Sequence, residues 1–222
     1  MKIKTDFSQN FLPKIRSKNT IKYVIIHYTG MQSEIESIKR LKNIKSKVSC
    51  HYFINRKGQI TQMVNDNQVA WHAGKSKWKN FKNLNENSIG IELVNKGHEF
   101  GYQNFSSIQI TNLINLCKDL KKKYLIKKEN FLGHSDIAPL RKLDPGEKFP
   151  WKRLSKYKLG NWYEGRGKKL KFTDYKKIES LFFNNLFKIG YRYFIVNKRT
   201  KNDRLVIKSF QQHYLPHKVS GK

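Results

Sequence analysis

Cysteine, acidic residues and long apolar runs are all scarce in this sequence of 222 residues. The two cysteines, Cys50 and Cys117, form no Cys-x-x-Cys pair, which argues against a disulfide framework and against a zinc site built from cysteine pairs. No stretch approaches the roughly 20 apolar residues that a membrane-spanning helix needs. The first ten residues contain no apolar run of signal-peptide length. As written, the chain is therefore expected to be soluble.

Basic residues far outnumber acidic ones, with 46 Lys and Arg against 16 Asp and Glu and a net charge of +30. A charge of this size attracts polyanions such as nucleic acid, an anionic polymer or a membrane surface. The alternative is a compositional bias, because Lys, Ile and Asn are all abundant. Since the basic residues are spread along the chain and no helix-turn-helix, zinc-finger or RNP-type motif is present, a nucleic-acid partner is not expected.

Apolar periodicity predicts strands that alternate with helices in the first 160 residues. The 14 Phe, 11 Tyr and 4 Trp supply the bulk of a core. Strands are predicted at 22–27, 50–55, 59–64, 88–94 and 130–133, and helices at 33–43 and 106–124. This order favours an α/β fold with a mixed central sheet flanked by helices.

Two helices have a predicted buried face. In the helix at 106–124, Ser106 and Gln109 fit a capping box, and one apolar stripe joins Leu113, Leu116, Cys117, Leu120 and Tyr124. In the helix at 33–43, Ile35, Ile38 and Leu41 recur at three-residue steps.

The segment 133–146, GHSDIAPLRKLDPG, places a histidine ten residues before an aspartate. These are His134 and Asp144, and Lys142 lies two residues before the aspartate. A second histidine, His27, ends the apolar run YVIIH. Two imidazoles and one carboxylate form a hydrolytic zinc set, which leaves the fourth position open to water. Taken alone, three such residues spread over more than a hundred positions are weak evidence.

Four ordered blocks make the evidence stronger, because they resemble the zinc-dependent N-acetylmuramoyl-L-alanine amidases. That family includes AmpD and AmiD enzymes, phage lysozyme-amidases and animal peptidoglycan recognition proteins. The resemblance covers roughly residues 20–160. The blocks are VIIHYT at 24–29, VSCHYFINRKG at 48–58, WHAG at 71–74 with SIGIELVN at 88–95, and GHSDIAPLRKLDPG at 133–146.

The resemblance implies a Zn²⁺ ion held by His27, His134 and Asp144. It also implies that Glu92 moves the proton and that Lys142 stabilises the oxyanion. A carboxylate in an otherwise apolar strand is costly unless it has a partner, which supports a functional Glu92. The alternatives are a solvent-facing edge-strand glutamate and an ordinary surface lysine.

Three further residues are predicted to contact the substrate. Trp71 and His72 belong to the WHAG block, and Trp71 is expected to form a wall of the cleft. Arg141 is expected to hold a peptide carboxylate. The chain departs from some phage members in one respect, because Cys50 stands where those members have a catalytic tyrosine.

The composition changes beyond the predicted catalytic domain at 1–160. Glycines among lysines predict a linker at 161–172. Apolar spacing predicts helices at 174–187 and 203–214, so 173–222 is expected to form a small all-α module. The segments LFKIGY at 186–191 and VIKSFQQHY at 206–214 resemble small helical peptidoglycan-binding modules. The alternative is a helical extension that packs on the catalytic domain.

The resemblance implies a hydrolase that cuts the amide between N-acetylmuramic acid and L-alanine, in peptidoglycan or in its muropeptides. The alternative is a non-catalytic recognition protein, which the joint presence of all five implied site residues disfavours. A cytoplasmic location is expected for the chain as written. If a leader has been removed, the periplasm or the wall is expected instead.

Overall fold

The computed structural model describes residues 2–163 and 174–222. Within these ranges the chain forms one six-stranded sheet, two two-stranded ribbons and seven α-helices. The strands are β1 (Ile3–Thr5), β2 (Phe11–Leu12), β3 (Tyr23–Tyr28), β4 (Tyr52–Ile54), β5 (Ile60–Gln62), β6 (Val69–Ala70), β7 (Lys77–Trp78), β8 (Phe81–Lys82), β9 (Ser88–Leu93) and β10 (Phe131–Gly133). The helices are α1 (Glu34–Lys42), α2 (Gly97–Phe100), α3 (Ser107–Tyr124), α4 (His134–Ile137), α5 (Trp151–Ser155), α6 (Tyr175–Ile189) and α7 (Asp203–Tyr214). Short 3₁₀ turns occur at Lys18–Thr20, Ile44–Ser46, Leu84–Asn87 and Lys128–Asn130.

The central sheet has the order β1-β5-β4-β9-β3-β10, and the predicted mixed α/β fold is confirmed. The predicted hairpin β4–β5 is its antiparallel pair, and the other neighbouring strands run parallel. Alternate residues of β3 face opposite sides. Val24 and Ile26 belong to one hydrophobic cluster, and Tyr23 and Ile25 belong to another. By the same alternation, His27 projects from the second face.

Helix α3 covers the first face of the sheet. Its predicted apolar stripe from Leu113 to Tyr124 is buried, which confirms that prediction. Ser106 caps the helix by accepting a hydrogen bond from the Gln109 backbone N–H. The predicted capping box is nevertheless only half formed, because the Gln109 amide donates to the carbonyls of Ile54 and Val94 instead. That side chain fastens the helix to the sheet.

Helix α1 forms where the sequence predicts it, and its predicted stripe is confirmed in part. Leu41 is buried and Ile38 packs against the same hydrophobic cluster, whereas Ile35 is 66% exposed. Ser37, which the stripe did not include, is also buried. A capping box between Ser33 and Glu36 begins the helix. The hydrogen bond from the Ser37 hydroxyl to the Ser33 carbonyl satisfies this small polar residue within the helix. The buried face of α1 therefore includes a serine that the apolar spacing does not mark.

Helices α6 and α7 cover part of the second face. Phe183, Leu186, Tyr191 and Val206 share a hydrophobic cluster with Trp78 and with residues of β3 and β10. Most of the predicted linker, residues 164–172, lies outside the described residues. The two predicted helices of the C-terminal module are present and form one core with the preceding domain. Among the described residues, no helix has the length and apolar composition that a membrane crossing requires.

Candidate metal centre and active site

His27, His134 and Asp144 converge at the carboxyl ends of the two neighbouring parallel strands β3 and β10. His27 lies near the end of β3, and His134 directly follows β10. The backbone N–H of Ser135 donates to the Asp144 carbonyl, which holds the last loop against α4. The crevice at the carboxyl ends of parallel strands is where α/β sheets bind ligands.

Three donor atoms of these residues lie within about one hydrogen-bond length of each other. His27 Nδ1 is 2.9 Å from His134 Nδ1 and 3.0 Å from Asp144 Oδ2. His134 Nδ1 is 3.1 Å from the same carboxylate oxygen. Three ligands of a tetrahedral zinc ion, at bonds of about 2.1 Å, would stand roughly 3.4 Å apart. Two imidazole nitrogens and one carboxylate oxygen at this spacing therefore fit a metal such as Zn²⁺, with one position left for water or substrate.

The charges at this site favour metal binding. Burial, assisted by the neighbouring His134, lowers the pKa of His27 to about 4, so its imidazole is neutral at pH 7. Burial alone would raise the pKa of Asp144, but the neighbouring His134 and His27 outweigh it and hold this pKa well below its usual range. A neutral imidazole and an ionised carboxylate are the protonation states that bind zinc.

Glu92 is brought beside the metal cluster by strand register. It pairs with His27 across β9 and β3, so both side chains project from the same face. Its Oε2 atom is out of contact with solvent and has no hydrogen-bond partner among the described residues. Burial, reinforced by the charge of Asp144, raises the pKa of Glu92 to about 8. A carboxyl group with a pKa near neutrality is suited to accept and donate a proton.

A cleft of ≈ 620 Å³ opens over these residues. Glu92, Lys142 and Trp71 all line it together with the histidine–aspartate cluster. The charge of Lys142 acts on Glu92, lowering its pKa against the larger effect of burial. Trp71 is half-buried. The structure thus brings the two predicted catalytic residues and the predicted cleft wall to the predicted metal site.

The other two predicted substrate-binding residues also line the cleft, but both make contacts within the protein. His72 is buried, and its Nδ1 lies 3.1 Å from His27 Nε2. The Arg141 guanidinium donates through Nε and Nη2 to the Lys75 carbonyl, and through Nη2 to the Ala73 carbonyl. Substrate contact by His72 and Arg141 stays a prediction.

Cys50, which stands where some phage members have a catalytic tyrosine, is completely buried, and burial raises the pKa of its thiol well above its usual value. It therefore cannot supply the acidic group that a tyrosine supplies in some phage members. Arg40 of α1 lines the cleft and was not predicted. In the sequence, the only indication that Arg40 lies near the cleft is its position next to Leu41 on α1. The apolar spacing that predicts α1 gives no information about an arginine.

Comparisons with known proteins agree with this geometry. Residues 17–147 match the model of the Amidase_2 family, described as N-acetylmuramoyl-L-alanine amidase. This range contains all the predicted site residues. The chain belongs to the N-acetylmuramoyl-L-alanine amidase family. The predicted family and its amide-hydrolase class are thereby confirmed.

Two relatives illustrate the breadth of the similarity. The N-acetylmuramoyl-L-alanine amidase AmiD of Escherichia coli K12 is 35% identical over 217 residues, which is 91% of this chain and 78% of AmiD. The 1,6-anhydro-N-acetylmuramyl-L-alanine amidase AmpD of Haemophilus influenzae is 43% identical over 108 residues, or 48% of this chain and 56% of AmpD. The AmiD match therefore extends into the C-terminal helices.

Solved structures show the same fold. E. coli AmiD in complex with anhydro-N-acetylmuramic acid-L-Ala-D-gamma-Glu-L-Lys superposes with a TM-score of 0.78 at 34% identity, covering 91% of this chain and 83% of AmiD. AmpDh3 of Pseudomonas aeruginosa, in complex with anhydromuramic pentapeptide, superposes with a TM-score of 0.75 at 27% identity. The match covers 95% of this chain and 88% of AmpDh3. Both similarities extend beyond the predicted catalytic domain at 1–160 into the region of α6.

Proposed function

We propose that this amidase uses zinc to hydrolyse the amide bond between N-acetylmuramic acid and the L-alanine of the stem peptide. The observation that carries the proposal is the convergence of His27, His134 and Asp144 in a cleft beside Glu92, whose Oε2 has no hydrogen-bond partner in the described part of the chain. The proposed ligands are these three residues. Glu92 and Lys142 are the proposed catalytic residues, because both side chains line the same cleft.

The chemistry divides between the metal and the protein. When bound, Zn²⁺ would polarise the scissile carbonyl and acidify a water molecule. Glu92 accepts the proton of the attacking water and passes it to the amide nitrogen, which leaves as an amine only once it is protonated. Lys142 donates a hydrogen bond to the carbonyl oxygen as negative charge develops there. Trp71 forms a wall that shields one side of the reacting bond from solvent.

The proposed substrate is a muropeptide that carries a muramic acid residue. Support comes from AmiD and AmpDh3, whose structures contain anhydro-muropeptides. The AmiD similarity, which extends beyond the predicted catalytic domain, is equally compatible with glycan-linked peptides in intact wall. Mass spectrometry of the products from purified anhydro-muropeptide and from sacculi distinguishes these two sources.

The proposal is tested by metal content and product identity together. Purified protein is expected to contain about one zinc ion per chain, and chelation should abolish release of a peptide that begins with L-alanine. Added zinc should restore it. His134→Ala should lose both metal and activity, because two remaining ligands hold zinc too weakly. Full zinc content and turnover in this variant would contradict the ligand assignment. Binding of muropeptide without cleavage would favour the recognition-protein alternative.

A further inference from the structure

The distal nitrogens of both metal-site histidines contact one loop, residues 71–75. His27 Nε2 lies 3.1 Å from His72 Nδ1, and His134 Nε2 lies 3.1 Å from the Ala73 carbonyl oxygen. The two contacts of His134 Nε2 make opposite demands on its proton, because the Ala73 carbonyl only accepts a hydrogen bond whereas Arg141 Nη2, 3.3 Å away, only donates one. The tautomer of His27, by contrast, follows from the contacts of His72.

The proton on His27 is set by a chain of hydrogen bonds that ends on a carbonyl. The Ser88 hydroxyl donates to the Leu84 carbonyl at 2.6 Å, so its oxygen is left to accept from His72 Nε2 at 3.2 Å. With its proton on Nε2, His72 presents the lone pair of Nδ1. That lone pair accepts the Nε2–H of His27, whose own Nδ1 lone pair then faces the cluster.

The sheet provides the space for His72. Ser88, Gly90 and Glu92 project from the same face of β9, and the imidazole of His72 lies over Gly90. A Cβ atom at Gly90 would lie 2.3 Å from Cγ of His72, which is far inside contact distance. The backbone N–H groups of His72 and Ala73 both donate to the Asn85 side-chain oxygen, at 3.1 and 2.6 Å. The imidazole of His72 thus lies between its own loop and the backbone of β9 at Gly90, where no side chain takes up the space.

We propose that His72 is a positioning residue for the metal site: it fixes the ring orientation and tautomer of His27 through the Nε2–Nδ1 hydrogen bond. This inference rests on the proposed function, because it assumes that His27 is a zinc ligand. Outer-shell partners of this kind typically contribute 10- to 100-fold in metal affinity or activity. This role differs from the substrate contact that the sequence predicts for His72. A positioning residue affects zinc affinity, whereas a substrate-binding residue affects KM.

A matched pair of variants separates the hydrogen bond from the shape of the side chain. Asparagine can place its Oδ1 near the position of His72 Nδ1, whereas leucine has the same branched outline without an acceptor. The measured quantity is the zinc dissociation constant of the full chain, obtained by competition with a chromophoric chelator. His72→Leu is expected to weaken zinc binding by roughly 10- to 100-fold, and His72→Asn to stay within a few-fold of wild type. Circular dichroism and the melting temperature show whether each variant is folded.

Each result decides between roles. Wild-type zinc affinity in folded His72→Leu overturns the proposal, and a raised KM with unchanged zinc affinity assigns His72 to substrate binding instead. Equal losses in both variants would mean that the volume of the ring, and not the hydrogen bond, determines zinc affinity, and this result also overturns the proposal.

If His72→Leu does not fold, Ser88→Ala provides the test, because it removes the acceptor that orients His72 while leaving the imidazole in place. Ser88→Ala should then weaken zinc binding, and an unchanged affinity would contradict the relay. Failure of the wild-type protein to bind zinc would instead overturn the proposed function.

Discussion

At the scale of single residues, Glu92 is the side chain of the site whose burial costs the most free energy. Its Oε2 atom is out of contact with solvent and has no hydrogen-bond partner among the described residues, and its pKa is raised mainly by burial. Burying such a group costs free energy that a neutral, apolar residue would not. Its position in the lining of the cleft, on the strand next to that of His27, supplies a chemical reason for keeping it.

Glu92→Gln is expected to slow turnover by about 10²- to 10⁴-fold, because the amide has the shape of the acid but cannot accept the proton. Zinc content should stay at the wild-type level, since Glu92 lies outside the ligand cluster. The measurements are kcat on a purified muropeptide and metal content by mass spectrometry.

Glu99→Gln is the matched control for this change. Glu99 is an exposed acid that also lines the cleft, and its replacement should alter turnover by no more than a few-fold. If Glu92→Gln kept normal turnover while Glu99→Gln lost it, the proton transfer would have to be reassigned to Glu99.

At the scale of elements, one buried carboxylate joins α3 to the sheet. Asp66 accepts hydrogen bonds from the hydroxyls of Tyr52 and Tyr124, at 2.7 and 2.6 Å, and from Lys123 Nζ at 2.8 Å. Burial alone would raise the pKa of Asp66, but these hydrogen bonds outweigh it and lower the pKa below its ordinary value. The C-terminal end of α3 is therefore held to β4 by a charge as well as by its apolar stripe.

Asp66→Asn is expected to lower the free energy of unfolding by about 2 kcal/mol at pH 7, since it loses hydrogen bonds to a charged group. Because the folded-state pKa is depressed, the wild-type carboxylate stabilises the fold above its unfolded pKa of about 3.9. That contribution is lost as the pH falls through the lower folded-state pKa. Urea titrations at pH 7 and at decreasing acid pH should show the difference between variant and wild type shrinking.

The control is Asp119→Asn on α3, which removes an exposed carboxylate. It should leave the free energy of unfolding within about 0.5 kcal/mol of wild type. A loss for Asp66→Asn that did not change with pH would mean that the charge is not what stabilises this contact.

At the scale of the whole molecule, α4 and α7 meet at a buried polar contact. Asp136 of α4 accepts hydrogen bonds from the hydroxyl of Tyr191, from His213 Nδ1 at 2.8 Å and from the Gly133 backbone N–H at 2.8 Å. The His213 ring also stacks on Trp151 with 3.9 Å between centroids. The C-terminal helices are thus joined to the segment that carries His134, a proposed zinc ligand.

This shared core predicts that the chain unfolds in one transition. Calorimetry and far-ultraviolet circular dichroism should give the same midpoint, because Phe183 and Leu186 are buried in the same cluster as Ile25 and Trp78. Tyr191→Phe should lower the free energy of unfolding by about 1.5–3 kcal/mol through loss of a hydrogen bond to a buried carboxylate. Tyr175→Phe, at a position 86% exposed on α6, should change it little. Two separate transitions, with only the second sensitive to Tyr191, would contradict a common core.

Wall binding by residues 173–222 stays a proposal that packing neither requires nor excludes. A chain that ends at Tyr163 and the full chain should be compared in pull-downs with sacculi across a salt series, after circular dichroism has established that both are folded. Adhesion through the +30 net charge should fade as the screening length falls from about 10 Å at 0.1 M to about 3 Å at 1 M. Salt-resistant retention of the full chain alone is expected if these helices recognise wall polymer. Equal retention of both chains would mean that α6 and α7 serve only as a packed extension.

The sequence by itself determined the fold class, the main strands and helices, and the residues proposed for the site. It could do so because strand and helix periodicity are local properties, and because the residues around His27, Glu92 and His134 follow a family pattern. The apolar stripe of α3 was equally easy to recognise, since it repeats over about three turns of one helix. On α1 the apolar spacing marked Leu41, which is buried, but it also selected Ile35, which is exposed, and it did not mark the buried Ser37.

Only the tertiary structure decided what the WHAG loop does. Nothing local marks His72 as a partner of His27, because their contact depends on β3 and β9 pairing in a register that sets Gly90 beneath the imidazole. Nor does the sequence show that Arg141 donates to the carbonyl groups of Ala73 and Lys75, or that Tyr191 reaches Asp136. Hydrogen bonds between distant segments depend on where the chain folds back, and that is settled by packing of the whole sheet and not by any one stretch of residues.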